Sequence, residues 1–434
     1  MRSREYRLFY LFLFAFLGSP AFAYLDPGTG SMLLYAIAGM AATVFFLFKN
    51  LWYTLRGKVF LRGKASGMAA VTTGLPDIVF FSEGGKYWQV FRSAIEALEK
   101  EGAACAYVTS DPADPGLAYA ALGGGKMRAV RPGGETATIA WMNSVTAGTV
   151  VATTPHLDVY MWKRSKRAKR YVHLFHSPTD IVFYEKYAFD WYDALLTVGS
   201  FQEKSVRGLE RLRGTPVKEL LPTGCTYFDY MLDEVAKLPK PEKSGRTALY
   251  APAWGVRSST VTHGTRIIDT LAEAGHTVIF RPHPQFYVSH RDLIADIEKR
   301  YALSSLVEID RNRTGIAAMA RSDFMVTDLS GVLFDYACLF GRPILLANAR
   351  SDAGGQEGED IEGPLWDVRA SVDLSYALVA DDLSGLADQA TAALADGGSY
   401  AEKVARFRSE TLYNFGKAGE AAAKNILSLT GDAR

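Results

Sequence analysis

Three short stretches concentrate the residue types that handle phosphate and protons. In Phe280-Arg281-Pro282-His283-Pro284 an apolar run delivers a guanidinium and an imidazole, and two prolines stiffen the exit. Arg281 can fork onto phosphate oxygens and His283 can add a second donor. In Thr327-Asp328-Leu329-Ser330-Gly331-Val332-Leu333-Phe334-Asp335-Tyr336 a strand ends at Thr327 and a helix is expected to start near Ser330. The hydroxyl of Ser330 and the first amide N–H groups, beginning at Gly331, form an anion site suited to a diphosphate. Asp335 lies one turn in, placed to face the linker, the first domain or a ribose hydroxyl. In Leu174-Phe175-His176-Ser177-Pro178-Thr179-Asp180 the imidazole of His176 follows a strand and precedes a turn. A histidine there can take a proton from an acceptor hydroxyl near neutral pH. His173, three residues earlier, reads as a packed neighbour.

A fourth stretch, Ser82-Glu83-Gly84-Gly85-Lys86-Tyr87-Trp88, is a glycine-containing turn that permits close backbone approach to an anion. It lacks the GxGxxG fingerprint, so dinucleotide binding is not indicated. HExxH, DxD, CxxC and GxSxG motifs are absent, which argues against a tightly held metal and against an α/β-hydrolase. Cys105, Cys225 and Cys338 are too few and too scattered for a disulfide framework or a zinc site, and reduced thiols are expected. The run Lys163–Arg170 holds six basic residues in eight and could meet anionic headgroups or a polyanionic acceptor.

These groups need elements to position them. From about residue 76 apolar runs alternate with amphipathic stretches. Strands are expected at 77–81, 104–108, 149–152, 171–175, 194–198 and 217–221, with helices at 135–145 and 201–212. Asp233–Arg246 is charged, contains two prolines and reads as a linker. The pattern then restarts, with strands at 247–250, 277–280, 306–309, 324–327, 343–347 and 376–379 and a helical last fifty residues. Strands alternating with helices predict α/β architecture with parallel, doubly wound sheets. The expected organisation is an N-terminal Rossmann-like domain over 65–235 and a C-terminal Rossmann-like domain over 245–430, facing a cleft. Ligands of such sheets bind beyond the carboxyl ends of the strands.

The beginning of the chain differs in character. Residues 1–23 place Arg2, Arg4 and Arg7 before an apolar run ending in small residues, the layout of a signal peptide or a first membrane segment. A second apolar run, uncharged from Ser31 to Phe48, predicts a transmembrane helix over 31–53, and Lys49, Arg56, Lys58, Arg62 and Lys64 come after the uncharged stretch. The positive-inside rule then places residues 65–434 on the cytosolic side of an inner (cytoplasmic) membrane. Across the chain 48 Lys and Arg balance 47 Asp and Glu, so no basic excess points to nucleic acid.

Taken together, RPHP at 281–284, the run 328–336, VFFSEGGKYW at 79–88, Tyr250–Trp254 and Gly224–Asp229 resemble the CDP-glycerol:poly(glycerophosphate) glycerophosphotransferase family, the teichoic-acid type of primases and polymerases. The resemblance covers roughly residues 76–430. It implies a GT-B-like pair of domains and transfer of glycerol phosphate, or a similar polyol phosphate, from a CDP-linked donor to a lipid-linked or polymeric envelope acceptor, releasing CMP. His176 occupies the place of the family's base. His283 and Arg281 match the donor-phosphate residues, and Asp328, Ser330 and Asp335 match the hydroxyl and carboxylate run. No tightly bound cofactor is implied, and Mg²⁺ is left open. A GT-B glycosyltransferase using a nucleotide sugar is the alternative reading.

Overall fold

A computed structural model describes residues 74–239, 246–312 and 314–431 of the chain. The first sheet has seven strands, β1 (Ile78–Ser82), β2 (Cys105–Thr109), β3 (Met127–Val130), β4 (Ala147–Ala152), β5 (Ala168–Leu174), β6 (Ala194–Thr197) and β7 (Glu219–Pro222). All neighbours pair in parallel, in the order β3-β2-β1-β4-β5-β6-β7. A parallel sheet is covered on both faces, so its inner strands read as unbroken apolar runs. β1 and β4 are buried along their whole length.

The second sheet has six parallel strands, β8 (Thr247–Ala251), β9 (Thr277–Phe280), β10 (Val307–Ile309), β11 (Phe324–Asp328), β12 (Ile344–Asn348) and β13 (Ala377–Leu378), in the order β10-β9-β8-β11-β12-β13. Each sheet reverses its winding at one place, between β1 and β4 in the first and between β8 and β11 in the second. A crevice opens beyond the strand ends at such points.

The helices follow from apolar spacing and end signals. α1 (Trp88–Lys100) buries Trp88, Phe91, Ala94, Ile95 and Leu98 on one face. α2 (Pro115–Ala121) starts on Asp114, whose carboxylate accepts the Gly116 N–H at 2.9 Å. α3 (Glu135–Met142) precedes β4. α4 (Ser200–Arg213) stops at Gly214, whose φ of 62° closes the helix as a left-handed residue. α5 (Thr226–Lys237) carries the first part of the expected linker into a helical last turn, because Asp233 and Lys237 sit on its solvent side while Phe228 and Met231 are buried.

In the second half α6 (Ser259–His263), α7 (Arg266–Glu273), α8 (Phe286–Ser289), α9 (Arg291–Tyr301), α10 (Ile316–Arg321), α11 (Gly331–Phe340), α12 (Trp366–Leu374), α13 (Leu386–Ala395) and α14 (Gly397–Thr411) surround the sheet. Two apolar clusters fill its faces, one around Tyr250, Phe280, Phe286 and Phe324, the other around Met325, Leu333, Tyr336 and Leu346.

The last helix, α15 (Ala418–Gly431), belongs to the other half. Ala422, Ala423, Ile426 and Leu429 pack into the first domain's core with α1. Asp229 of α5 accepts the Ala418 and Gly419 N–H groups at 3.2 and 2.7 Å and so caps the helix. Gly419 lies against Ser93 so closely that a Cβ would come within 2.7 Å of it. The sequence reading placed residues up to 430 in the second domain; the final helix returns to the first because its apolar stripe completes the cover of α1.

The expected placement in an inner membrane is corrected. Among the described residues no helix is long and apolar enough to cross a membrane. The segments 1–23 and 31–53, read as leader and span, lie outside the described residues. All three cysteines are buried free thiols.

Candidate active site

His176 stands two residues past the end of β5. Its Nδ1 lies 3.1 Å from the Tyr184 hydroxyl, and its ring meets Tyr87 edge-on at 5.9 Å. Burial, with the nearby Lys86 ammonium second, pushes the imidazole pKa down to about 4. The ring is therefore neutral at pH 7 and able to accept a proton. His173 is fully buried among Phe175, Phe189 and Tyr192, and neither ring nitrogen has a hydrogen-bond partner. It is a packed residue of β5, whose last four positions are all buried.

The glycine turn after β1 is occupied by its own domain. The Gly84 N–H bonds the Ser82 hydroxyl at 3.2 Å, and the Gly85 N–H bonds the Asp111 carboxylate at 3.0 Å. Ser82 is buried, with its hydroxyl donating to the Gly84 carbonyl at 3.0 Å. A Cβ on Gly85 would come within 2.8 Å of Pro115. Ser82, Gly84 and Gly85, expected to bind substrate, instead close the turn that presents Lys86 and Tyr87 beside His176. An amide already bonded to a carboxylate has nothing left for an anion.

On the second sheet, Arg281 leaves β9 and is held by its own domain. One guanidinium nitrogen pairs with buried Asp310 at 2.6 Å and bonds the Asn312 carbonyl at 2.9 Å. His283 is exposed, and its Nδ1 accepts the Gln285 N–H at 3.1 Å. The proton of the neutral ring is thereby fixed on Nε2 as a donor. Partial desolvation by the surrounding residues, with the Arg281 charge second, lowers its pKa. The Trp254 indole lies near-parallel to this imidazole, with centroids 6.1 Å apart.

Asp328 ends β11. One of its carboxylate oxygens accepts the Ala253 and Ser259 N–H groups, both at 3.0 Å, and ties β11 to the exit of β8. The other oxygen is buried without a partner. Burial raises this carboxyl's pKa, against the hydrogen bonds from Ser259. Ser330 is the N-cap of α11 in extended conformation, and its hydroxyl makes no capping bond. A Cβ added at Gly331 would meet nothing within 4 Å. The helix start is therefore open. Asp335 points the other way, to the first domain. The Tyr227 hydroxyl of α5 donates to it at 3.5 Å, and burial pushes its pKa up to about 7.

A cavity of about 230 Å³ lies beyond β8, β11 and β12; of the expected site residues Asp328 lines it, while His176, Arg281, His283, Ser330, Gly331 and Asp335 are not part of its lining. Ala253, Trp254, Ser258, Asp328 and Leu329 line it from the second domain, and Phe183 closes it from the first. Phe183 neighbours Tyr184, the partner of His176. Arg257 and Arg350 also line it. The motif reading missed both arginines, although each follows a strand end, β8 and β12, where the winding rule directs attention. Their outer nitrogens pair with Asp352 and Asp381, all four side chains being well exposed. The basic run 163–170 does not reach this cavity. Arg164 pairs with Asp193 at 2.8 Å, Arg170 with Glu219 at 3.2 Å, and Arg167 bonds the Ser144 carbonyl, so much of that charge serves the first domain's own edge.

Two parallel-sheet α/β halves with ligand-sized space at their strand ends define the architecture shared by GT-B glycosyltransferases and related epimerases. Solved structures agree at the level of fold. The UDP-GlcNAc 2-epimerase of Neisseria meningitidis, bound to UDP-GlcNAc, matches with a TM-score of 0.52 at 11% identity over 82% of this chain and 99% of that one. The UDP-GlcNAc 2-epimerase of Methanocaldococcus jannaschii matches with a TM-score of 0.50 at 11% identity, again over 82% and 99%. Residues 197–357 match the family model of CDP-glycerol:poly(glycerophosphate) glycerophosphotransferases, in agreement with the resemblance drawn from 281–284 and 328–336. No curated protein matches the sequence.

Proposed function

We propose that this protein transfers glycerol phosphate, or a similar polyol phosphate, from a CDP-linked donor to a hydroxyl of a polymeric or lipid-linked acceptor, releasing CMP. The observation that carries this reading is the family match over 197–357, which runs from the end of β6 through the whole cavity-forming part of the second domain.

The diphosphate lies over the start of α11, where the Ser330 hydroxyl and the first amides are free and the helix dipole favours negative charge. The Nε2–H of His283 and the guanidinium groups of Arg257 and Arg350 add donors from the strand ends. Arg281 acts from behind, held in place by Asp310. Trp254, 55% exposed, offers surface to the base. The acceptor hydroxyl gives its proton to neutral His176 as its oxygen attacks the β-phosphorus. The bond from that phosphorus to the bridging oxygen breaks, and the electron pair leaves with CMP. Lys86, beside His176, stabilises the negative charge gathered at phosphorus. Positioning and charge stabilisation carry most of such a transfer.

The deciding experiment incubates the protein with acceptor and a panel of CDP-alcohols and UDP-sugars, and identifies the nucleotide released. CMP from a CDP-polyol is expected. UDP from a nucleotide sugar would replace the proposal with the glycosyltransferase reading.

A further inference from the structure

A second cavity, of about 500 Å³, lies between α4 and the segment 360–369. One wall is a single stripe of α4, on which Phe201, Lys204, Gly208 and Arg211 recur at spacings of three and four. The facing wall presents Trp366 and Arg369. The rings of Phe201 and Trp366 stack with centroids 3.6 Å apart and planes 7° from parallel, giving the cavity an aromatic edge.

Its charges are unevenly satisfied. Among the described residues Lys204, Arg211 and Arg369 are exposed and enter no ion pair with a carboxylate. Of the lining carboxylates, Asp360 is held by Lys186 at 2.7 Å and Arg213 at 2.8 Å. Asp180 is buried and accepts the Ser205 hydroxyl at 2.6 Å and the Ile181 N–H at 2.8 Å. Glu362 alone opposes the three cations.

Gly208 is the second observation. It sits in the middle of a 14-residue helix, where glycine costs about 1 kcal/mol relative to alanine. A Cβ there would meet nothing within 4 Å, so no neighbouring group requires the glycine. What its missing side chain leaves is an open groove floor. The cavity also adjoins the donor site. In the turn Ile181–Phe183, Val182 lines this cavity and Phe183 lines the other, one residue before the partner of His176.

We propose that this second cavity binds the acceptor as a polyanion, a phosphodiester-linked polyol chain. Its phosphates rest on Lys204, Arg211 and Arg369, its carbons pass the Phe201–Trp366 edge over Gly208, and its terminal hydroxyl turns past Ile181–Phe183 toward His176. The inference rests on the reading of the first cavity as the CDP-donor site.

Calorimetric titration of the full-length protein with synthetic poly(glycerol phosphate) chains, with an uncharged dextran oligomer and separately with CDP-glycerol tests it. Replacing Lys204, Arg211 and Arg369 by alanine is expected to weaken chain binding roughly tenfold per cation, the size of a charge-assisted hydrogen bond. The salt dependence should flatten in step, by about one unit of log–log slope per cation. Gly208→Leu, which favours the helix, should fold normally and lose chain binding by filling the groove. CDP-glycerol affinity should not change in any variant. Chain binding equal to wild type in the triple variant or in Gly208→Leu overturns the proposal, as does dextran binding as tightly as the phosphate chain. Failure of the donor reading shows separately, as absence of CDP-glycerol binding to the unaltered protein, and a polyanion affinity lost on these substitutions would still assign the cavity.

Discussion

Arg213, the last residue of α4, faces Asp360 at 2.8 Å across the seam between the two domains. The same guanidinium pairs with Asp190 at 2.9 Å and with Glu357, whose side chain is fully buried. Glu357 also accepts the Ala188 N–H at 2.9 Å, and Glu185 bridges to Gln356 alongside. One cation from the first domain thus neutralises two carboxylates of the second, in the segment that joins the two cavities. Arg213→Met is expected to destabilise the protein by about 3–5 kcal/mol, because Glu357 would be left buried without a counter-charge. Denaturant unfolding measures it; a loss no larger than that of an exposed ion pair would show that the cluster does not hold the halves together.

His176→Ala should lower turnover by about 10²–10⁴-fold, the range of a general base, while leaving the dissociation constant of CDP-glycerol unchanged. Near-normal turnover would remove His176 from the proposed mechanism.

The environment of His176 predicts a pH signature. Burial and then Lys86 hold its pKa near 4. The acid limb of kcat/KM from this group should therefore fall near pH 4, with no inflection of its own around pH 6.5. Lys86→Met removes the second cause, so NMR titration of the ring should show its pKa rise. An unmoved pKa would mean that desolvation alone sets it.

On the donor side, His283→Ala and Arg350→Ala are each expected to weaken CDP binding by about tenfold, one charge-assisted contact. Competition with a fluorescent nucleotide reads the change. Wild-type affinity in both variants would place the nucleotide elsewhere.

Asp335 links stability to pH. Its carboxyl is raised from 3.8 to about 7 by burial, which outweighs the lowering effect of the Tyr227 hydrogen bond. The folded state keeps this proton where the unfolded chain has lost it. Its contribution is thus fully present below pH 3.8 and lost as pH rises toward 7, by about 4 kcal/mol at most. Asp335→Asn should flatten stability over that window. An unchanged pH dependence would show that the carboxyl titrates normally.

Much of this was legible in order along the chain. The inner strands announced themselves as unbroken apolar runs, because a parallel strand buries both faces. β9 falls where its sequence pattern puts it, over Thr277–Phe280. β3, an edge strand with only Met127 and Val130 buried, carried too weak a pattern to be read. The histidine, arginine and serine at strand ends stood out because their residue types are unusual there.

Strand pattern also determined the α/β class, the two successive windings and the places where polar groups emerge, since burial imposes its period locally. Tertiary structure alone decided which of those groups are free. Asp111 takes the Gly85 amide, Asp310 takes Arg281, and the exit of β8 takes one oxygen of Asp328, each across a distance in sequence that no local pattern encodes. It also decided that α15 returns to the first domain and that Arg213 meets Glu357. Hydrogen bonds and ion pairs form between whatever groups the packed sheets bring within about 3 Å, and that proximity exists only once the chain has folded.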